Sequence, residues 1–134
     1  MADGNTFEVI INTPDREFYQ GNATMIELAT TEGEMGVYPK HIPLTGILVP
    51  CSMVIHTDEG NKKAAVMGGI VEILQDKVTV LAEVAEWPDE IDVNRANEAK
   101  LRAEERIKSK GPDVDLVRAE AALRRSMARL NTVD

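Results

Sequence analysis

The chain has 134 residues, 23 of them acidic and 15 basic, and a formal net charge of −8. Its length can hold one substantial core and a small appendage. The charge is uneven: residues 1–91 carry 15 acids against 5 bases and residues 92–134 carry 8 against 10, so the N-terminal part lacks the basic face that nucleic acid requires, while the C-terminal part suits an acidic surface or a phosphate.

Residues 1–86 read as many short strands. The first residues, MADGNTFEVI, show neither the basic region nor the long apolar run of a signal peptide. In TFEVIIN (6–12), Phe7, Val9 and Ile11 alternate with Glu8 and Ile10. NATMIELATT (22–31), LTGILVP (44–50), CSMVIHT (51–57), KAAVM (63–67), GIVEIL (69–74) and KVTVLAE (77–83) follow. Turn signals separate them at Pro14-Asp15, Gly21-Asn22, Asp58 to Asn61 and Gln75-Asp76. Short strands at this spacing predict an antiparallel β-sandwich or barrel. Aromatic residues are few, so Val, Ile, Leu and Met must fill the core.

The segment EGEMGVYPKHIPL (32–44) carries Gly33, Gly36, Pro39 and Pro43. It reads as a structured loop rather than a strand. It exposes Glu34, Lys40 and His41, either as a wide surface turn or as a contact loop.

Residues 87–91 read as a linker and 92–134 as a helical hairpin. Asp92 can cap a first helix over 92–110, with Lys108 and Lys110 at its negative end. Gly111 and Pro112 suit the stop, and Asp113 can cap a second helix over 113–131. So short a connection predicts antiparallel helices. The two helices repeat a pattern offset by 23 residues: IDVNRANEAKLR (91–102) against VDLVRAEAALRR (114–125). Arg95, Ala99, Arg102 and Arg106 fall on one stripe of the first helix. Arg118, Ala122, Arg125 and Arg129 fall on one stripe of the second. These stripes are either solvated faces with pairs such as Glu98–Arg102, or the walls of an anion site that small alanines leave open.

The apolar stripes are thin. Val93, Ala96, Ala99, Ala103 and Ile107 line up on the first helix. Leu116, Ala119, Leu123, Met127 and Leu130 line up on the second, with Val114, Val117, Ala121 and Ala128 on another side. Alanine contacts stabilise little, about 0.8 kcal/mol per methyl. The hairpin is therefore expected to be weakly held to the sandwich and able to detach.

No nucleotide-binding phosphate loop, dinucleotide fingerprint, Cys/His metal cluster or Ser/His/Asp set is present in the sequence. Cys51 is the only cysteine, so no intrachain disulfide forms. It reads as a strand residue rather than a nucleophile, which would need His41 or His56 beside it.

Three stretches together resemble the epsilon-subunit family of bacterial F-type ATP synthases. TTEGEMGVYPKHIPL (30–44) looks like the family's signature loop, with Lys40 where the family usually has Gly. GGIVEILQDKVTVLAEVAE (68–86) looks like its Gly-Gly strand pair, and the Arg-Ala helical pattern also matches. The resemblance implies a sandwich of about ten strands, a regulatory hairpin and no catalysis of its own. It implies a rotor subunit of the central stalk that grips the gamma subunit and rests on the c-subunit ring, with Glu34 and His41 at the ring. Peripheral attachment at the cytoplasmic face of the bacterial cell membrane follows. An extended hairpin would reach the catalytic alpha/beta head and block ATP hydrolysis.

Some bacterial relatives bind ATP on the folded hairpin through the motif Ile/Leu-Asp-x-x-Arg-Ala. Ile91, Asp92, Arg95 and Ala96 match it, and Glu86, Arg102, Arg125 and Arg129 match the accessory positions. No cofactor is required, and ATP is the implied regulatory ligand. The alternatives are the same rotor subunit with a hairpin that does not bind ATP, a stand-alone ligand-binding sandwich, or a small enzyme on a sandwich.

Overall fold

A computed structural model describes residues 5–109, 111–112 and 114–134. Ten strands come first: β1 (Phe7–Thr13), β2 (Arg16–Ala23), β3 (Met25–Thr30), β4 (Gly33–Val37), β5 (Leu44–Leu48), β6 (Cys51–Thr57), β7 (Gly60–Val66), β8 (Gly69–Ile73), β9 (Lys77–Ala82) and β10 (Ala85–Glu86). A single 3-10 turn, Pro88–Glu90, leads into helices α1 (Val93–Ser109) and α2 (Leu116–Val133).

The strands form one hydrogen-bonded path, β10-β7-β6-β3-β5-β8-β9-β1-β2, with β4 added to β3. Buried residues from both ends of this path share one cluster, among them Val9 and Ile11 of β1, Ile55 of β6 and Val66 of β7. A flat sheet cannot bring these strands over a common core. The sheet therefore folds on itself as a sandwich, and the period of two sends alternate side chains inward. The expected sandwich is present, with one departure from antiparallel pairing. β1 runs parallel to β9, with Val9 beside Val78 and Ile11 beside Val80. That register aligns the two inward-facing sets, all of them fully buried.

Three strands differ from the sequence expectation. β2 has charged and polar residues at most positions and buries only Phe18 and Ala23, so its alternation is faint. Residues 22–31 divide between β2 and β3 at Thr24, whose N–H and hydroxyl both reach the His56 carbonyl. The first part of the expected 32–44 loop is β4, paired along β3 from Thr30–Gly33 to Ile26–Val37. Its glycines hid a strand that buries only Val37.

Among the five described residues with positive φ, two bear on the fold. Gly69 has φ of 124°, and a Cβ there would collide with the Leu81 carbonyl across the β8–β9 ladder. Only glycine permits both the φ and the approach. Lys40 has φ of 65°, the left-handed region, and its N–H donates to the Gln75 carbonyl at 2.8 Å. The turn thus keeps a glycine-like backbone although a lysine stands there.

The repeated Asp of the two helices is a repeated cap. Asp92 Oδ1 accepts the Arg95 N–H and Asp115 Oδ1 accepts the Arg118 N–H, each at 3.1 Å. The second helix therefore starts at Leu116 under Asp115. The expected end at Lys110 and cap at Asp113 lie outside the described residues.

α2 lies on β6 and β7, and α1 packs on α2. Ala128 meets Ala65, Met67 and Ile91 at the sheet. The Thr132 hydroxyl donates to the Ala128 carbonyl at 2.7 Å and sits 2.9 Å from the Ser52 hydroxyl. The apolar stripe expected on the second helix is buried only in part: Ala119 is buried, while Leu116 and Met127 are 41% and 44% exposed. Small residues fill the contacts instead, namely Ala96, Ala103, Ala119, Ser126, Ala128 and Thr132. They let the helices approach closely while removing little apolar area from water.

Two substitutions should move stability in opposite directions. Gly69→Ala should lower the unfolding free energy by about 3 kcal/mol, through strain and the carbonyl collision. Lys40→Gly should raise it by roughly 0.5–1 kcal/mol, since relief of the left-handed conformation outweighs the entropy of glycine. Urea denaturation of the full chain measures both.

Candidate functional site

The Arg stripes of the two helices face each other across one cleft of about 380 Å³. Arg95, Ala96, Ala99 and Arg102 line it from α1, and Ala122, Arg125, Ser126 and Arg129 line it from α2. Glu86 from β10, with Glu90 and Asp92 from the segment between, closes the third side. Antiparallel packing makes this possible, because it sets the start of α1 beside the second half of α2. Ala99 and Ala122 keep the floor open.

Seven of the eight residues singled out for a nucleotide therefore line one cleft: Glu86, Asp92, Arg95, Ala96, Arg102, Arg125 and Arg129. Ile91 does not. It is buried against Ala65, Met67 and Ala128, and anchors the base of the hairpin to the sandwich. Arg106 and Arg118, the outer members of the stripes, do not line the cleft. Sequence reasoning missed Ser126 and Glu90. Ser126 is buried, and its hydroxyl donates to the Ala122 carbonyl at 3.0 Å. Glu90 carries no helical periodicity to reveal it.

The charges in the cleft differ in commitment. The Arg129 Nε–H donates to Glu86 Oε1 at 2.7 Å, and both side chains are half-buried. The Asp92 carboxylate accepts at the helix start. Glu90 is bound from outside, by a two-pronged contact with Arg16 at 2.8 and 3.0 Å and by the Trp87 N–H at 2.8 Å. These hydrogen bonds, Arg16 first, hold its carboxyl below the usual glutamate range and push the Arg16 guanidinium up. Arg95, Arg102 and Arg125 make no ion pair within 4 Å among the described residues. Three uncommitted guanidinium forks in one concave site suit phosphate oxygens. The volume is within the range of small-molecule sites, about 300–1,000 Å³.

Trp87 turns away from this cleft. It stacks on Phe18 with ring centroids 4.2 Å apart and meets Tyr19 edge-on at 6.0 Å. It packs against the sandwich core and does not line the cleft.

Of the two expected ring contacts, one is on β4 and the other in the segment after it. Glu34 is exposed on β4 and lines a groove of about 650 Å³ between the sandwich and α2, with Arg124 and Met127. His41 lies beyond β4, with Nδ1 2.7 Å from the Ile42 carbonyl. Cys51 opens onto the same groove, and burial pushes its thiol up. The thiol is then protonated and a poor nucleophile.

Two measurements probe the ion pairs. A double-mutant cycle of Glu86→Gln and Arg129→Gln should give a coupling of about 1 kcal/mol in urea unfolding, because the pair is only half-buried. The Glu90 carboxyl is lowered in the folded chain, so its stabilisation is present above the ordinary glutamate range and fades as pH falls through the lowered value. The stability difference between the wild-type chain and Glu90→Gln should shrink over that acid window.

Comparison with known proteins gives a consistent assignment. Residues 6–88 match the family model of the ATP synthase delta/epsilon chain β-sandwich domain, and residues 89–134 match that of its long α-helix domain. The chain is 42% identical over 126 residues to an ATP synthase epsilon chain of Caldanaerobacter subterraneus, covering 93% of this chain and 91% of that one. It is 43% identical over 127 residues to one of Halalkalibacterium halodurans, covering 94% and 96%. In fold, it is similar to a chain in the mitochondrial ATP synthase of Euglena gracilis, with a TM-score of 0.81 at 23% identity over 98% of this chain and 84% of that one. The chain belongs to the delta/epsilon chain family of ATP synthase, a family of non-catalytic subunits.

Proposed function

We propose that the chain is a central-stalk rotor subunit whose hairpin binds ATP as a sensor and, when extended, inhibits ATP hydrolysis. The observation that carries the sensor reading is the convergence of four arginines from two helices, with Glu86 and Asp92, in one cleft. Guanidiniums of Arg95, Arg102 and Arg125 take the triphosphate. Arg129, held by Glu86, gives the site a rigid wall. Carboxylate and backbone oxygens accept from the adenine amino group, since they are the acceptors available beside the forks.

Regulation follows from where the site is built. Its walls come from α1, α2 and β10, so the whole site exists only while the hairpin lies folded on the sandwich. A ligand that binds only this form shifts the population toward it. At a hundredfold excess over its dissociation constant it adds about 2.7 kcal/mol. The sheet contact of α2, built on Ala128 and Thr132, is small enough for such a term to decide. Loss of ATP would release the hairpin toward an acidic partner surface of the alpha/beta head.

The sandwich supplies the stalk contacts in this reading. Ile47, Ile70 and Leu81 are 61%, 48% and 55% exposed and stand side by side across β5, β8 and β9. Such a strip suits a stable protein partner, here the gamma subunit. Ile42 and Tyr38, 79% and 57% exposed, flank His41 on the loop assigned to the c ring. No helix among the described residues is long and apolar enough to cross a membrane. Attachment at the cytoplasmic membrane face would then run through the ring.

Calorimetric titration of ATP into the full chain tests the sensor. Saturable heat is expected, with most of it lost in Arg125→Ala. Absence of binding at millimolar ATP would sink the sensor and leave the stalk role standing. Co-purification with a gamma subunit tests that role separately, and Ile70→Asp should weaken it.

A further inference from the structure

Glu90 lies between the cleft arginines and Arg16. It lines the cleft with Arg95, Arg102 and Arg125, and it also lines the neighbouring depression on the sandwich with Arg16. Arg16, on β2 and 74 positions upstream, holds both carboxylate oxygens. Arg16 is itself fixed. Its Nη2 donates to the Ala85 carbonyl at 3.3 Å, and its guanidinium lies 5.0 Å from the centre of the Phe18 ring. Phe18 in turn stacks on the Trp87 ring, and the Trp87 backbone N–H donates to Glu90.

We infer that Arg16 sets the anion affinity of the cleft, by holding Glu90 outward and so keeping a further carboxylate off the cleft arginines. This rests on the cleft taking nucleotide phosphates. A carboxylate tethered beside the cleft competes with a ligand intramolecularly. Carboxylate and phosphate use the same guanidinium forks. Releasing Glu90 would therefore neutralise the arginines that a ligand needs. The two-pronged Arg16 contact already engages both oxygens of the Glu90 carboxylate. Arg16 touches no ligand in this scheme. It is a positioning residue, acting through Glu90 from the opposite side of the hinge.

The test compares the full-length wild type with Arg16→Ala, Glu90→Gln and the double variant, by calorimetry with ATP and with inorganic pyrophosphate. Arg16→Ala should weaken binding roughly tenfold, and adding Glu90→Gln should bring affinity back to within about twofold of the Glu90→Gln single variant. A clamp that merely braces the hinge would leave the double variant as weak as Arg16→Ala, and that outcome overturns the inference. So does unchanged affinity in Arg16→Ala.

A second readout needs no nucleotide. At neutral pH and without ligand, the nitrogen resonances of Arg95, Arg102 and Arg125 should shift in Arg16→Ala relative to the wild type, and that shift should vanish when Glu90→Gln is added. Immobile signals in Arg16→Ala would show Glu90 going to solvent, and would overturn the inference. If the wild type binds neither ATP nor pyrophosphate, the sensor reading fails, and the nitrogen resonances still decide where Glu90 goes.

Discussion

The ion pair between Glu86 and Arg129 joins the last strand of the sandwich to the last helix of the hairpin. Much of the arrangement depends on it. β10 has only two residues, and its hydrogen bonds to β7 fix where Glu86 stands. Arg129 then registers α2 along β6 and β7, while Ala128 and Thr132 supply close contact one position before it and three after. α1 takes its place from α2. The cleft is thus the product of one half-buried pair and a set of small contacts.

Bringing four guanidiniums together opposes folding, since like charges repel. The structure offsets this only in part, because its nearby carboxylates are already engaged. Glu86 pairs with Arg129, Asp92 serves as a helix cap, and Glu90 is drawn outward by Arg16. What remains is a concave, positive and open surface. Under the proposed reading, a polyanionic ligand completes the compensation, and the weak docking of the hairpin makes that completion decisive. The two features belong together: tight apolar docking would hold the hairpin regardless of ligand.

Legibility in the sequence followed the strength of local patterning. β1, β6, β8 and β9 alternate cleanly and were visible. β4, among glycines, and the charged first half of β2 were not, because their place is set by neighbouring strands rather than by their own hydrophobicity. The helical repeat was visible as a repeat, and its Asp positions proved to be caps. Asp115, which caps the second helix, offers the same capping chemistry as Asp113, and Asp113 itself lies outside the described residues. The thin, alanine-rich stripes were legible too, and close approach of the helices favours these small side chains over Leu116 and Met127.

The sequence by itself determined the division into a strand-rich acidic part and a helical basic part, the two capped helices, and the arginines at helical spacing. These follow from local periodicity, which a chain carries before it folds. Tertiary structure alone decided that both stripes face one cleft, that Ile91 serves as an anchor rather than a wall, and that Trp87 packs against the sandwich core. It also decided that Arg16 holds Glu90 across 74 positions of chain. Contacts at that separation depend on how the sandwich curls and where the hairpin docks, and no local pattern encodes either.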